Sequence, residues 1–232
     1  MKIIGISGRK QSGKNTVANY INGDILKRLG MVKDFSINND GQLEISTVFK
    51  DGKEAYGVFD VTRKDIEFVD YAQKELWSHV KIYHFADYLK SMCIDLFDLD
   101  QKQVYGTDQD KNTDTKYGMT AREFLQYFGT DIMRKIKDDV WVDYTIKTIL
   151  KEQSSVAIIP DVRFPNEVDA IHNIGGHVLR LTRDPQSSDH PCETALDNNV
   201  YSWDNFDGII TNEQSTIEQL ITQLDSFNWL WR

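Results

Sequence analysis

Gly8-Arg9-Lys10-Gln11-Ser12-Gly13-Lys14-Asn15-Thr16 follows the apolar run Met1-Lys2-Ile3-Ile4-Gly5-Ile6 and precedes a helix-compatible stretch from Val17 to Leu29. Strand, glycine-bounded loop, helix is the context in which a chain cradles phosphate. Gly8 and Gly13 permit backbone angles that turn consecutive N–H groups inward. Those donors, with the positive end of the following helix, form a nest for a triphosphate. Lys14 adds a mobile positive charge at the β- and γ-phosphates. The Ser or Thr that usually follows such a lysine is replaced by Asn15, with Thr16 next. Asn15 offers a carbonyl oxygen to Mg²⁺ or to one of its waters, and Thr16 offers a hydroxyl to an α-phosphate. The plain alternative, a glycine-rich turn that binds nothing, is disfavoured by the flanking elements and by the Gly13-Lys14 pair.

Outward from the loop, composition sets bounds. The 232 residues suit one domain with an ample core. Hydrophobic residues at 40% and charged residues at 27% are ordinary for a globular protein. The net charge of −9 argues against a chain whose main work is to hold nucleic-acid backbone, but not against one nucleotide in a local cationic cluster. Two cysteines, Cys93 and Cys192, with no signal peptide fit a reducing cytoplasm. No apolar run reaches the length of a membrane span.

Short apolar segments near 2–7, 80–86, 155–160, 177–182 and 207–211 read as buried parallel strands. Helical patterns lie near 14–29, 62–78, 87–98, 120–136, 139–152, 165–174 and 215–225. Thr62 with Asp65, Thr120 with Glu123 and Ser215 with Glu218 read as helix starts, and Gly175-Gly176 as a stop. The alternation defines an α/β fold. Residues 35–61 break it: two strand-like runs flank Asp51-Gly52, which predicts an inserted β-hairpin of open role. Segments 99–119 and 184–206 are long, polar and turn-rich, as lids and substrate loops are.

Open parallel sheets bind ligands beyond their strand ends, and the polar clusters fall there. Asp161 follows Ile158-Ile159-Pro160, with Arg163 two residues on and Glu167 a turn into the next helix. Lys90 lies in the first turn after the strand ending at Phe85-Ala86. Phe85 and Tyr88 read as core or as the wall of a base pocket. Arg122 and Gln126 are four apart and share a helix face; Asp131 joins them only where the helix bends near Gly129. Arg suits bidentate phosphate recognition and Gln a base edge. Trp141 reads as core or as a stacking surface. Arg183 opens the 184–206 segment as a lid arginine would. His190 and Cys192 lack a second pair at zinc spacing.

In this order, GRKQSGKNT, HFADYLK, VYGTDQDKNT, TAREFLQYFGTD, DDVWVDY, PDVRFPNEVDAI, LTRD, HPCETALD and ITNEQSTIEQL resemble the bacteriophage deoxynucleoside monophosphate kinases, a branch of the P-loop kinases. The pieces run from residue 8 to residue 220, and FGTD, PDVRFPNE and the H-P-x-E-T segment are more specific than the loop. The resemblance implies a single P-loop kinase domain over 1–232, a three-layer sandwich around a five-stranded parallel sheet. It implies transfer of the γ-phosphate of ATP to a deoxynucleoside 5′-monophosphate with Mg²⁺. Gly8, Gln11, Ser12, Gly13, Lys14, Asn15 and Thr16 would then hold ATP. Lys10, Lys90, Arg122, Gln126, Gly129, Thr130, Trp141, Asp161, Arg163 and Glu167 would form the monophosphate pocket. Lys14, Arg163, Arg183 and Asp161 would carry catalysis, and Asn15 and Asp161 the metal. The family likeness also implies a homodimer that binds neither nucleic acid nor membrane. Another small-molecule P-loop kinase, of the dephospho-coenzyme A or phosphomevalonate kinase type, shares the loop, the strand-end Asp and the lid Arg. A nucleotide-dependent switch would need an Asn-Lys-x-Asp run, and the sequence has none.

Overall fold

The computed structural model describes residues 1–48, 52–185 and 190–231. In chain order the elements are β1 (Lys2–Ser7), α1 (Lys14–Arg28), β2 (Phe35–Ile37), β3 (Leu43–Val48), β4 (Glu54–Val58), α2 (Ile66–Glu75), β5 (Val80–Ile82), α3 (Asp87–Phe97), α4 (Gln101–Tyr105), α5 (Asp108–Lys111) and α6 (Ala121–Gln126). A π-helical stretch, Tyr127–Met133, joins α6 to α7 (Arg134–Ile136). There follow α8 (Val140–Glu152), β6 (Val156–Val162), α9 (Pro165–Asn173), β7 (His177–Leu181), α10 (Pro191–Thr194), a 3₁₀ turn (Trp203–Asn205), β8 (Gly208–Ile210), α11 (Ile217–Asp225) and α12 (Asn228–Trp231). The chain divides into two compact units, one of residues 1–83 with 152–232 and one of residues 84–151.

The first unit holds the five-stranded sheet in the order β5-β6-β1-β7-β8, with every pairing parallel. Alternation along β1 divides its side chains between two layers. Ile4 and Ile6 join Val17 and Ile21 of α1, Phe68 and Ala72 of α2, and Leu220 and Leu224 of α11 in one buried cluster. On the opposite face Gly5 lies against Ile171 of α9, beside Val162 and Val178. These side chains are nearly all under 6% exposed, and each such burial contributes roughly 1.5–3 kcal/mol. The expected three-layer sandwich is therefore present, with β1 and its loop at the centre of the sheet.

The inserted hairpin is present as β3 and β4, and β2 adds a third antiparallel strand. Its Asp51-Gly52 turn falls partly outside the described residues, as do Phe49 and Lys50. The sheet rests on α1. Phe35 and Leu43 approach Gly23 so closely that a Cβ there would stand 2.4 Å from the Phe35 ring. Asn19 Nδ2 donates to the Gly41 carbonyl at 2.9 Å.

In the second unit Phe97, Tyr117, Phe124 and Phe128 form an aromatic cluster with centroids 5.0–6.3 Å apart. Of the apolar positions at helical spacing, Phe124, Leu125 and Phe128, which read as core, Phe124 is buried and the other two are half-buried. Segment 99–119 is not simply loop: Asp100 and Thr107 start α4 and α5 with capping boxes. The Thr120–Glu123 cap stands as read.

Three expectations are corrected. The helix expected over 62–78 begins at Ile66, because Asp65 accepts from the Phe68 amide while Thr62 is held by Asp60. The helix expected from Ser215 begins at Ile217, capped by Thr216 with Gln219; Ser215 donates instead to the Thr211 carbonyl. The strand expected over 80–86 ends at Ile82, since Asp87 N turns back to His84 O and starts α3.

Candidate active site

β1 delivers the chain at the C-terminal edge of the sheet, beside the point where strand order reverses across it. There the loop must turn sharply. Gly13 has φ 101°, and a Cβ on Gly8 would stand 2.4 Å from Ser12 Oγ. Gln11 also takes the left-handed region, at φ 60°, a strained state that recurs at functional loops. No side chain caps α1 at Gly13. Its first-turn amides and the positive end of a 15-residue helix are thus available to an anion.

Lys14 is buried, and its ammonium donates to the carbonyls of Gly8 at 2.7 Å and Arg9 at 2.6 Å. Burial, seconded by the charge of Arg163, pushes its pKa down to about 7, while Glu193 and Asp161 act the other way. Asp161 lies within β6, which runs two residues past the expected strand end. Arg163 follows β6 and is half-buried against Glu193. Glu167 is buried, and its Oε2 accepts from the amides of Arg163 at 2.6 Å and Phe164 at 3.1 Å. Its carboxylate thereby sets the turn that carries Arg163. Lys10 contributes its backbone amide, which donates to Glu193 Oε2 at 2.7 Å. Asn15 is exposed at the first turn of α1, and Thr16 faces Gly41 of the inserted sheet. Arg183 is exposed, with its backbone amide held by Asn212.

Of the residues singled out from sequence, the structure therefore gathers the loop, Lys14, Asp161, Arg163 and Glu167 at one edge of the first unit. Arg183 also belongs to the first unit; Lys90, Arg122, Gln126, Gly129, Thr130 and Trp141 lie in the second. Lys90 stands 4.9 Å from the Tyr105 ring centroid. Arg122 donates to Asn112 at 3.0 Å and pairs with Asp108 at 2.7 Å. Gln126 ends α6, and Gly129 and Thr130 lie in the π-helical stretch. A π turn is wider than an α turn, so the helix leaves α geometry around Gly129. Trp141 is core, and its indole N–H donates to the Gly129 carbonyl at 3.0 Å. Tyr88 stacks on Tyr144 at 4.0 Å, and Phe85 is buried.

Four site residues escaped the sequence reading. Arg180, rather than Arg183, is the buried arginine of β7: it donates to Ser7 Oγ at 3.0 Å, and burial lowers its pKa to about 10. Asp197 bridges Arg9 and Arg180. Glu193 binds Arg163 and the Lys10 amide. Asn212 donates to the Ser12 carbonyl at 2.7 Å and accepts from Arg183 N at 3.0 Å, pinning the loop to the ends of β7 and β8. The one signal for Asn212 was its position directly after an apolar strand, like Asp161. The 184–206 segment, expected as a lid, carries Glu193 and Asp197 onto the rim of the loop. Among the described residues no group of three His, Cys, Asp or Glu is arranged to hold a metal. No described helix is long and apolar enough to cross a membrane.

A central strand, an uncapped amide nest with a buried lysine, and strand-end acid and arginine define a P-loop phosphotransferase. The family model for deoxynucleotide monophosphate kinase matches residues 2–224, and the chain belongs to that family. It is 35% identical over 158 residues to a provisionally named deoxynucleotide monophosphate kinase of Acanthamoeba polyphaga mimivirus, covering 61% of this chain and 79% of that one. It is 25% identical over 218 residues to the deoxynucleoside-5′-monophosphate kinase of Escherichia phage T5, covering 84% of each. It is 26% identical over 255 aligned positions to the deoxynucleotide monophosphate kinase of Enterobacteria phage T4, covering 97% of each. The activity is ATP-dependent phosphorylation of a deoxynucleoside monophosphate to the diphosphate. The other small-molecule kinase reading falls with this match.

Proposed function

We propose the following division of labour for that reaction. Gly8, Gln11, Ser12, Gly13, Lys14, Asn15 and Thr16 hold the ATP phosphates. Lys10, Asp161, Arg163 and Glu167 handle the acceptor phosphate, and Lys90, Arg122, Gln126, Gly129, Thr130 and Trp141 carry the recognition of the rest of the acceptor. The observation that carries the reading is the buried Lys14 at the mouth of an uncapped helix, within the field of Arg163 and Asp161.

The bond from the γ-phosphorus to the β,γ-bridging oxygen breaks, and a bond to an oxygen of the acceptor's 5′-phosphate forms. ADP leaves with the bridging electron pair. The acceptor oxygen is already anionic, so no strong general base is required. What the reaction needs is alignment and relief of repulsion between two polyanions. Lys14, Arg163 and Arg183 supply positive charge where it develops. Asp161 orients. Glu167, buried on the amides of Arg163 and Phe164, serves the acceptor by fixing Arg163.

The oxygen donors at the site, the Asp161 carboxylate and the Asn15 side-chain carbonyl, fit Mg²⁺, which takes one or two protein oxygens beside phosphates. Held by these two residues, the ion would supply neutralisation of phosphate charge. We also read the chain as one kinase domain over 1–232 that acts as a homodimer in the cytoplasm, of the host if phage-encoded, and that uses neither nucleic acid nor membrane.

The test is a panel of deoxynucleoside and nucleoside monophosphates with ATP, with and without Mg²⁺, read by chromatography of the diphosphates. Diphosphate formation abolished by chelation supports the metal assignment; undiminished turnover in chelator removes it. Arg163→Ala is expected to raise KM for the monophosphate at least tenfold. An unchanged KM removes Arg163 from the acceptor site.

A further inference from the structure

We propose that Glu193 is a positioning residue for phosphoryl transfer, holding Arg163 and the Lys10 amide in register at the rim of the phosphate loop. The inference rests on the acceptor role of Arg163 given above.

Glu193 comes from α10, far along the chain from the loop, and its carboxylate is 9% exposed. One oxygen pairs with Arg163 Nη1, and the other accepts from the Lys10 amide at 2.7 Å. Both partners belong to the anion-binding machinery. Arg163 Nη1 also points to the Cys192 carbonyl at 3.4 Å, so α10 grips the guanidinium through its backbone as well. His190, whose Nδ1 accepts from the Cys192 amide, caps this short helix.

An acid beside a site that must gather two polyanions adds repulsion, and burying a carboxylate is costly unless it is well paired. Burial alone pushes the Glu193 carboxyl up. The Arg163 charge and bond, then the Lys10 amide and Lys14, outweigh it and leave the group below the ordinary glutamate range. Glu193 therefore stays ionised, bound to groups that serve the site. Its consequence is geometric. A guanidinium has five donors in a planar fork. Arg163's described side-chain bonds all run through Nη1, which leaves the Nε–Nη2 edge, the edge suited to bidentate phosphate contact. The same carboxylate ties that fork to the third residue of the loop, so the strand-end arginine and the loop share one rigid link. Arg163 without Glu193 keeps its charge and loses its aim.

The test is a double-mutant cycle in the full-length enzyme with Glu193→Gln, Arg163→Ala and the double variant, together with Glu193→Asp. Thermal unfolding is recorded for each, and kcat and KM for ATP and for the monophosphate are measured separately. Glu193→Gln is expected to lower kcat/KM for the monophosphate by about 10–100-fold, the cost of a small misplacement, while KM for ATP changes by less than about threefold. Glu193→Asp should recover part of the loss, and adding Glu193→Gln to Arg163→Ala should cost nothing more. Full additivity, or a loss shared equally by ATP and the monophosphate, overturns the inference. If Glu193→Gln melts early, the Glu193→Asp split between the two substrates decides by the same criterion. If Arg163→Ala alone leaves monophosphate kinetics unchanged, the acceptor reading fails first. A strong Arg163→Ala effect beside an inert Glu193→Gln sinks only the positioning role.

Discussion

Lys14 shows how much one side chain carries. Removing it takes away charge and little packing, so Lys14→Ala should fold and lose about 10²–10³-fold in turnover. Circular dichroism beside steady-state rates checks this; near-normal turnover in a folded variant would end the assignment. Its lowered pKa has a second consequence. Below pH about 7 the ammonium is charged in both the folded and the unfolded chain. Between about 7 and the ordinary 10.5 the folded form is neutral while the unfolded form still holds its proton. The burden of the buried charge therefore fades, and stability rises, as pH climbs through that window. A bound polyphosphate restores the charge, so ATP binding at about pH 8 should take up close to one proton. Calorimetry in buffers of different ionisation enthalpy measures it, and zero uptake would mean that Lys14 stays charged throughout.

At the scale of elements, α1 links the phosphate site to the inserted sheet. Glycine within an exposed helix is worse than alanine by about 1 kcal/mol, so Gly→Ala there normally stabilises. At Gly23 the sign should reverse, because the new methyl meets the Phe35 ring at 2.4 Å and Leu43 at 2.7 Å. We expect Gly23→Ala to destabilise by about 1–3 kcal/mol, read as a lower urea midpoint; a raised midpoint would show that the sheet yields freely. The elements also mark what local pattern conveys. The five parallel strands were legible because each is a short apolar run bounded by turn residues. Helix caps were displaced by three residues and by one where two capping candidates lie close together, as Thr62 with Asp65 and Ser215 with Thr216. Propensity does not choose between such neighbours. Burial does, and a start at Thr216 sets Leu220 and Leu224 onto the core.

For the whole molecule, net charge and the cations of the site oppose each other. The chain carries −9 overall, and Arg9, Lys14, Arg163 and Arg180 cluster about the loop interleaved with Asp161, Glu193 and Asp197. Attraction of an anionic substrate to those cations is weakened by salt. Raising ionic strength from about 0.01 M to about 1 M shrinks the screening length from about 30 to about 3 Å. Over that range kcat/KM for the monophosphate should fall at least about tenfold, with kcat at saturation changing less. A flat salt profile in stopped-flow binding would exclude steering.

Residues adjacent in the chain, and the period of apolar positions, determined the phosphate loop, the α/β class and the strand-end placement of Asp161 and Arg163. Each depends on local backbone geometry or on a pattern a few residues long. Only the tertiary structure buried Arg180 on Ser7, joined Asn212 to Ser12, and brought Glu193 and Asp197 to the loop. These partners are separated by up to 200 residues. Which of several similar polar side chains is buried in a pair depends on the packing of layers that no short segment encodes.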